Sequence, residues 1–191
     1  MGQSPQNLYN SYYAFYSNKA QKLKRKIQML ALGRLFSFIG AVLLTYYIVQ
    51  INVFWGIFIG TAALVVFVFF VINYFRFSQK YQITKNLMHL NRQEIGVLRG
   101  NYEHFDSGKE FSFPDHSYVN DLELFGKKSL FQFLNRTCTY TGKNELASWF
   151  SGILENKSQI KERQSAVHEM SSLVDWRQKY LAIGQLLDIN L

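Results

Sequence analysis

The first 93 positions of this 191-residue chain contain no aspartate or glutamate; Glu94 is the first carboxylate. That absence locates the charge. Ten Lys or Arg residues precede Glu94 uncompensated, whereas the remainder carries 11 basic and 13 acidic residues, so the two parts hold +10 and −2 of the net +8. A uniformly basic nucleic-acid binder is excluded, and the positive field belongs to the N-terminal half. Charge of either sign is missing from Leu35 through Phe75. No ordinary soluble helix runs that far uncharged, and the stretch is about twice the ~20 residues of one bilayer crossing. Cys138 is the single cysteine, which excludes an internal disulfide and agrees with a reducing compartment. The only prolines are Pro5 and Pro114, and neither Gly nor Pro interrupts Leu8 to Leu32, so long helices have few breakers there.

Two crossings are therefore predicted, at about residues 32–49 and 53–75, with the turn in "VQIN", Val49 to Asn52. Tyr46, Tyr47, Trp55, Tyr74 and Phe75 stand near the expected ends, where amphipathic rings favour the interface. Lys19, Lys22, Lys24, Arg25, Lys26 and Arg34 precede the pair and Arg76, Lys80 and Lys85 follow it. The positive-inside bias then puts both termini in the cytoplasm. Some thirty residues precede the apolar run, which argues against a cleaved signal peptide. Apolar positions at helical spacing from Leu8 to Leu30 and from Ile83 to Leu98 extend both helices beyond the membrane. Either the extensions pack into a stem, or the first lies flat on an anionic surface. The domain reading is a hairpin with its stem over 1–99, a loop over 100–117 and a helical unit over 118–191.

"GNYEHFDSGKEFSFPDHS" from Gly100 reads as that loop, with a short strand around Glu110 to Phe113. Beyond it, Ser129 and Gln132 form a capping-box pair before Leu130, Phe131, Phe133 and Leu134. After a turn through "NRTCTYTG", in which Arg136 is placed to bond the last carbonyls, Leu146, Trp149, Phe150, Ile153 and Leu154 give a buried stripe. Ser158 is the expected cap of a third helix with Ile160, Val167, Met170 and Val174 on one face. Trp176 to Leu187 forms a fourth. Seventy-odd residues of short helices make a marginal core by size, so the unit is expected to be incomplete.

Chemical motifs are scarce. "TGKN", Thr141 to Asn144, lacks the first glycine and the Ser or Thr of a phosphate loop and reads as a turn entering a helix. His89, His104, His116 and His168 lack metal-ligand spacing. His104, Asp106, Asp115 and His116 share one loop, where a small enzyme site is the minor alternative. Asp121, Glu123, Lys127 and Lys128 offer either partner contacts or a structural role, the latter favoured, and Lys22 to Lys26 offers either phosphate binding or membrane anchoring, the latter favoured by position. No catalytic, metal or cofactor residue is assigned.

One series is specific. "DLELFGKKSLFQFLNRTCTYTGKNELASWF" followed by "IKERQSAVHEM" resembles the start of the core and lever region of the MutS mismatch-repair ATPase family. The resemblance is carried by Leu124, Phe125, Ser129, Leu130, Phe131, Leu134, Asn135, Arg136, Thr137, Gly142, Leu146, Trp149, Arg163 and Val167. These are scaffold positions, among which Gly142 is expected to permit the turn between helices. A hairpin in place of a mismatch-reading domain is similar to membrane-associated MutS-related proteins of bacteria, which implies a bacterial inner-membrane location. By that resemblance full-length relatives bind DNA, pair as homodimers and use ATP and Mg. This chain shows no Walker A or Walker B sequence and is expected not to be an enzyme. It reads as an all-α, N-terminal portion of such a protein or, alternatively, as a membrane-tethered helical interaction module without nucleic-acid or ATPase activity.

Overall fold

The computed structural model describes residues 4–112, 117–152 and 156–187, and every regular element among them is helical. Helix α1 spans Pro5–Ile51 and α2 spans Val53–Val97. At 1.5 Å per residue each is about 70 Å long. Helix α1 starts where its chemistry predicts: Ser4 Oγ accepts from Asn7 N–H at 3.3 Å, and Pro5 takes the first helical position, where a missing N–H costs nothing. The chain divides into two compact units, Phe15–Lys85 and, separately, Met1–Ala14 with Asn86–Leu191.

In Phe15–Lys85 the expected turn narrows to Asn52. Its Oδ1 accepts from Phe54 N–H at 2.9 Å, so a capping side chain starts α2 one residue after α1 ends. The two arms then run antiparallel in register. Gly56 meets Val49, Gly60 meets Thr45, the Phe38 and Phe67 rings lie 5.8 Å apart, and a Cβ on Gly33 would stand 2.7 Å from Phe70. The two residue numbers of each pair sum to between 103 and 105. Among the covered positions of α2 are Gly56, Gly60, Ala63, Phe67, Phe70, Tyr74, Phe77, Tyr81 and Thr84. They alternate four and three apart, the spacing of a coiled-coil seam. Small residues near the turn let the backbones approach, and aromatic rings fill the seam farther along. Farther along, Lys26 lies over the Phe77 ring at 4.0 Å and Arg34 over Tyr74 at 5.2 Å.

Both long helices are long and apolar enough to cross a membrane by length and composition, and their most apolar stretches are 0% and 6% buried. Phe36, Leu43, Phe54, Ile57, Val65 and Phe69 are all more than half exposed. Polar groups along these stretches bond internally: Ser37 Oγ donates to Arg34 O at 2.9 Å, Thr61 Oγ1 to Ile57 O at 2.8 Å and Asn73 Nδ2 to Phe69 O at 2.8 Å.

The other unit contains a 3-10 turn at Lys109–Phe111 and short helices α3 Ser117–Asp121, α4 Leu130–Leu134, α5 Tyr140–Ser151, α6 Lys157–Ser172 and α7 Val174–Leu187. The 3-10 turn stands where a strand was expected up to Phe113, which itself lies outside the described residues. Gly108 explains the difference. With φ at +61° it enters the turn from the left-handed region, and Phe111 N–H bonds back to its carbonyl at 2.9 Å. Phe131, wholly buried, centres a cluster with Val119, Phe125 and Ala147, against which Phe111, Leu124, Leu146 and Phe150 pack. The expected loop is thus part of the packing: Gly108 lies so close to Phe131 that a Cβ there would stand 2.6 Å from the ring.

Three local expectations change. Asn156, not Ser158, caps α6, its Oδ1 accepting from Ser158 N–H at 2.8 Å; an Asx side chain two residues earlier reaches the free amide first. Gly142 sits inside the first turn of α5, which Thr139 caps by accepting from Gly142 N–H at 3.1 Å. It is a helical residue rather than the pivot between helices, and Thr141 to Asn144 is helix rather than turn. The apolar face read on α6 is covered at one end only, with Ile160 and Val167 exposed and Met170 and Val174 partly buried. Of the stripe read on α5, Leu146 and Phe150 pack, Trp149 is 41% exposed, and Ile153 and Leu154 lie outside the described residues.

Candidate functional site: the Arg136 knot and its cavity

The segment Asn135-Arg136-Thr137 leaves α4 in extended backbone, and each of its side chains fastens something. Asn135 is buried; its Nδ2 donates to Asp106 O at 3.2 Å, while its Oδ1 accepts from Thr137 N–H at 3.0 Å and from Thr137 Oγ1 at 2.7 Å. Arg136 directs Nε to Glu94 Oε1 at 2.5 Å and Nη2 to Glu94 Oε2 at 3.2 Å, a bidentate pair with side chains 24% and 21% exposed. Its Nη1 donates to Phe133 O at 2.9 Å and Asn135 O at 3.0 Å, and the guanidinium lies 3.7 Å from the centre of the Phe105 ring. The carbonyl-capping role expected of Arg136 is thus present, joined to an ion pair with α2.

Gln132 is a second fastening point. Ser129 Oγ accepts its N–H at 3.2 Å as a capping box requires, but its Oε1 reaches Lys128 N–H at 2.7 Å, one residue before the cap. Its Nε2 is thereby free for Glu103 O at 3.2 Å and Phe105 O at 2.7 Å. A third tie joins α2 to α7: the buried amides of Asn91 and Gln178 exchange hydrogen bonds of 3.0 and 2.9 Å, and Asn86 Nδ2 donates to Ala182 O at 3.0 Å. Cys138 Sγ fills the space where a Cβ would stand on Gly184, so glycine is what lets α7 approach.

Beside the knot lies a cavity of about 360 Å³ lined by Tyr9, Glu94, Arg136, Met170, Trp176 and Arg177, among others. Trp176 and Tyr180 stack with planes 10° apart. The Tyr9 hydroxyl is pushed up in pKa by burial and then by the Glu94 carboxylate. His104 is pushed down by burial and then by the Arg136 cation. Lys143 bonds to Asp106 at 2.7 Å and also to Glu110. Hydrogen bonding between Lys143 and Asp106 lowers the carboxyl and raises the ammonium. A lysine held between two carboxylates is already paired, so Lys143 as placed here does not fit a nucleotide phosphate. No cluster of His, Cys, Asp or Glu fit to hold a metal occurs among the described residues; Asp115 and His116 lie outside them.

The family-like residues therefore fall into three sets. Leu124, Phe125, Phe131 and Leu146 build the aromatic cluster, and Ser129, Asn135, Arg136, Thr137 and Gly142 build the caps and the knot. Leu130, Leu134, Trp149 and Val167 are exposed at 48%, 48%, 41% and 57%, and Arg163 covers the Trp149 ring at 3.9 Å. Sequence reasoning missed Glu94 and Asn91 as partners, and of Gln132 it read the pairing with Ser129 but not the bonds to Glu103 and Phe105. Glu94 carried one signal, being the first carboxylate after 93 residues without one.

This is the geometry of a scaffold: helices locked by fastened polar side chains, not a nucleophile beside a base. Residues 118–189 match the family model MutS domain III, and a MutS-like, mismatch-repair relation is supported. The chain is similar to proteins named DNA mismatch repair protein MSH3 from three yeasts. Identity is 34% over 98 residues in Lodderomyces elongisporus, 29% over 118 in Candida albicans and 32% over 97 in Vanderwaltozyma polyspora. These alignments cover 48%, 54% and 47% of this chain and 10%, 11% and 9% of the relatives, so the chain spans about a tenth of their length. In the Candida case 54% of 191 residues is about 103, more than the 74 from Tyr118 to Leu191, so the similarity reaches upstream of the domain III match. No solved structure matches the chain significantly.

Proposed function

We propose that this chain is a membrane-anchored, MutS-related protein whose hairpin crosses a bilayer at about residues 32–49 and 53–75, both termini being cytoplasmic. The carrying observation is the pair of 47- and 45-residue helices whose apolar stretches are 0% and 6% buried. Such a surface in water is far larger than the few hundred Å² that soluble monomers expose. In hydrocarbon it is matched, and the side chains of Ser37, Thr61 and Asn73 bond to backbone carbonyls within the helices, as a bilayer demands. The same chain carries the domain III segment. Its share in mismatch repair is to tether and begin that scaffold, with DNA contact, homodimerisation and ATP- and Mg-dependent steps belonging to the longer protein. A bacterial inner membrane is the location proposed from the hairpin-before-core layout; the matched proteins are yeast ones and lend it no support. Alkaline carbonate extraction tests the anchor: the chain stays in the membrane pellet, and release into the supernatant would sink the reading.

A second reading, a membrane-tethered interaction module that binds neither DNA nor ATP, is favoured by the net charge of −2 after residue 93 and by the exposed Val167, Trp176 and Ile183. Steeply salt-dependent duplex binding, abolished by neutralising basic residues after Glu94, rules it out.

A further inference from the structure

Phe15–Lys85 contains nine Lys or Arg and no carboxylate, so none of its cations has an acidic partner within that unit. Two of them share a ring: Lys26 and Lys80 come from opposite arms, and their Nζ atoms lie 4.0 and 5.7 Å from the centre of the same Phe77 ring. The two nitrogens are therefore within 9.7 Å of each other. A ring face attracts an ammonium but leaves its charge unneutralised, and two like charges held by one ring gain from an anion between them.

Their level is set by the register. Lys80 follows Arg76, the residue that closes the uncharged run, by four positions, or about 6 Å of helix. The polar zone on each side of the hydrocarbon is about 5–8 Å deep. Counted from Arg76 the pair thus stands at headgroup depth, while Arg34, eight positions and about 12 Å of helix from Lys26, lies deeper with its guanidinium over Tyr74. A DNA duplex needs a surface open to bulk water and many phosphate contacts; a lipid phosphate is already at this level. We propose that Lys26, Lys80 and Phe77 form a binding site for the phosphate of an anionic phospholipid headgroup. The site rests on the bilayer reading above.

The full chain is purified in non-ionic detergent and titrated with short-chain phosphatidylglycerol or phosphatidylcholine, bound lipid being counted by native mass spectrometry. Lys26→Gln with Lys80→Gln is compared with Lys24→Gln with Lys85→Gln, which removes the same charge from the same arms away from the Phe77 ring. The expected result is preference for phosphatidylglycerol, weakened about thirtyfold by the first pair, from about 1 kcal/mol per basic residue, and less than twofold by the second. Equal losses in both pairs would reduce the site to diffuse charge and overturn it. So would retention of phosphatidylcholine equal to phosphatidylglycerol, displacement by millimolar inorganic phosphate, or duplex DNA binding that the first pair abolishes while lipid counts stay unchanged. Carbonate extraction of the same proteins separates the two failures. A chain that pellets but shows equal losses refutes only the headgroup site, whereas a chain that is extracted refutes the anchor as well.

Discussion

Replacing Arg136 by alanine removes three kinds of contact at once, and their sizes can be estimated separately. The guanidinium and Glu94 are about three-quarters buried. Leaving one partner of a fully buried pair alone costs about 3–5 kcal/mol, and the partial exposure reduces this to about 2 kcal/mol, since exposed pairs contribute about 0–1. The bonds to Phe133 O and Asn135 O and the Phe105 stack add about 1–2 kcal/mol more. The total for Arg136→Ala is then about 3–4 kcal/mol, against the 5–15 typical of a whole domain. Glu94→Gln keeps the carbonyl bonds and the stack and costs about 1–2 kcal/mol. Arg136→Lys keeps charge but not the fork, and recovers less than half of the alanine loss. Pulse proteolysis of the full chain in detergent across a urea series gives these values, with cleavages after Asn86 identified by mass spectrometry. A double-mutant cycle of Arg136→Ala with Glu94→Ala isolates the pair, with an expected coupling of about 1.5–2 kcal/mol. A coupling under about 0.5 kcal/mol would make the pair an ordinary surface contact and refute the knot.

Gly108→Ala meets both a φ of +61° and the Phe131 ring at 2.6 Å, whereas Gly126→Ala meets a φ of +107° in open space; the first lowers stability by about 2–4 kcal/mol and the second by about 1–2, and similar thermal melts would contradict the packing. Gly56→Leu forces its side chain into Val49 while Gly40→Leu finds nothing within 4 Å, so cysteine cross-linking between the arms should fall for the first only. The His104 pKa is lowered from 6.5, so the folded state favours the neutral ring. Its contribution is complete above 6.5 and is lost as the pH falls through the lower folded value. Stability of the unit therefore declines on acidification, and His104→Gln flattens the pH dependence of the proteolysis midpoint below about pH 6.5.

The hairpin was legible because it depends on absences, and an uncharged run of this length leaves few alternatives. Its turn was placed within four residues and proves to be Asn52. The seam was not read. Gly56, Gly60, Ala63, Phe67 and Phe70 are embedded in a segment apolar on every side, where spacing does not mark the covered face. Caps were legible where the acceptor is local, as with Ser129, and ambiguous where two polar residues compete, as with Asn156 and Ser158. Gln132 was half-read because its Nε2 partners, Glu103 and Phe105, lie 29 and 27 residues away. Trp149 shows a different limit: periodicity identifies the face of a helix, but not whether another element covers it.

The polar residues of the family-like motif explain why a 72-position match does not delimit a structural unit here. Asn135 ends on Asp106, Arg136 on Glu94 and Phe105, Gln132 on Glu103 and Phe105, and Lys143 on Asp106 and Glu110. Every one of those partners precedes Tyr118. The same is true across the cluster, where Phe111 packs on Phe125 and Phe131, and across the amide pair, where Asn91 meets Gln178. A buried asparagine, glutamine or arginine is costly without its partners, so the motif specifies a socket as much as a fold. Residues 86–112 fill that socket in this chain. The helix that supplies Asn91 and Glu94 is α2, which began 38 residues earlier at Val53. The sequence similarity extending upstream of Tyr118 fits the same physical requirement: a scaffold whose locking side chains point outside their own segment carries the complementary stretch with it.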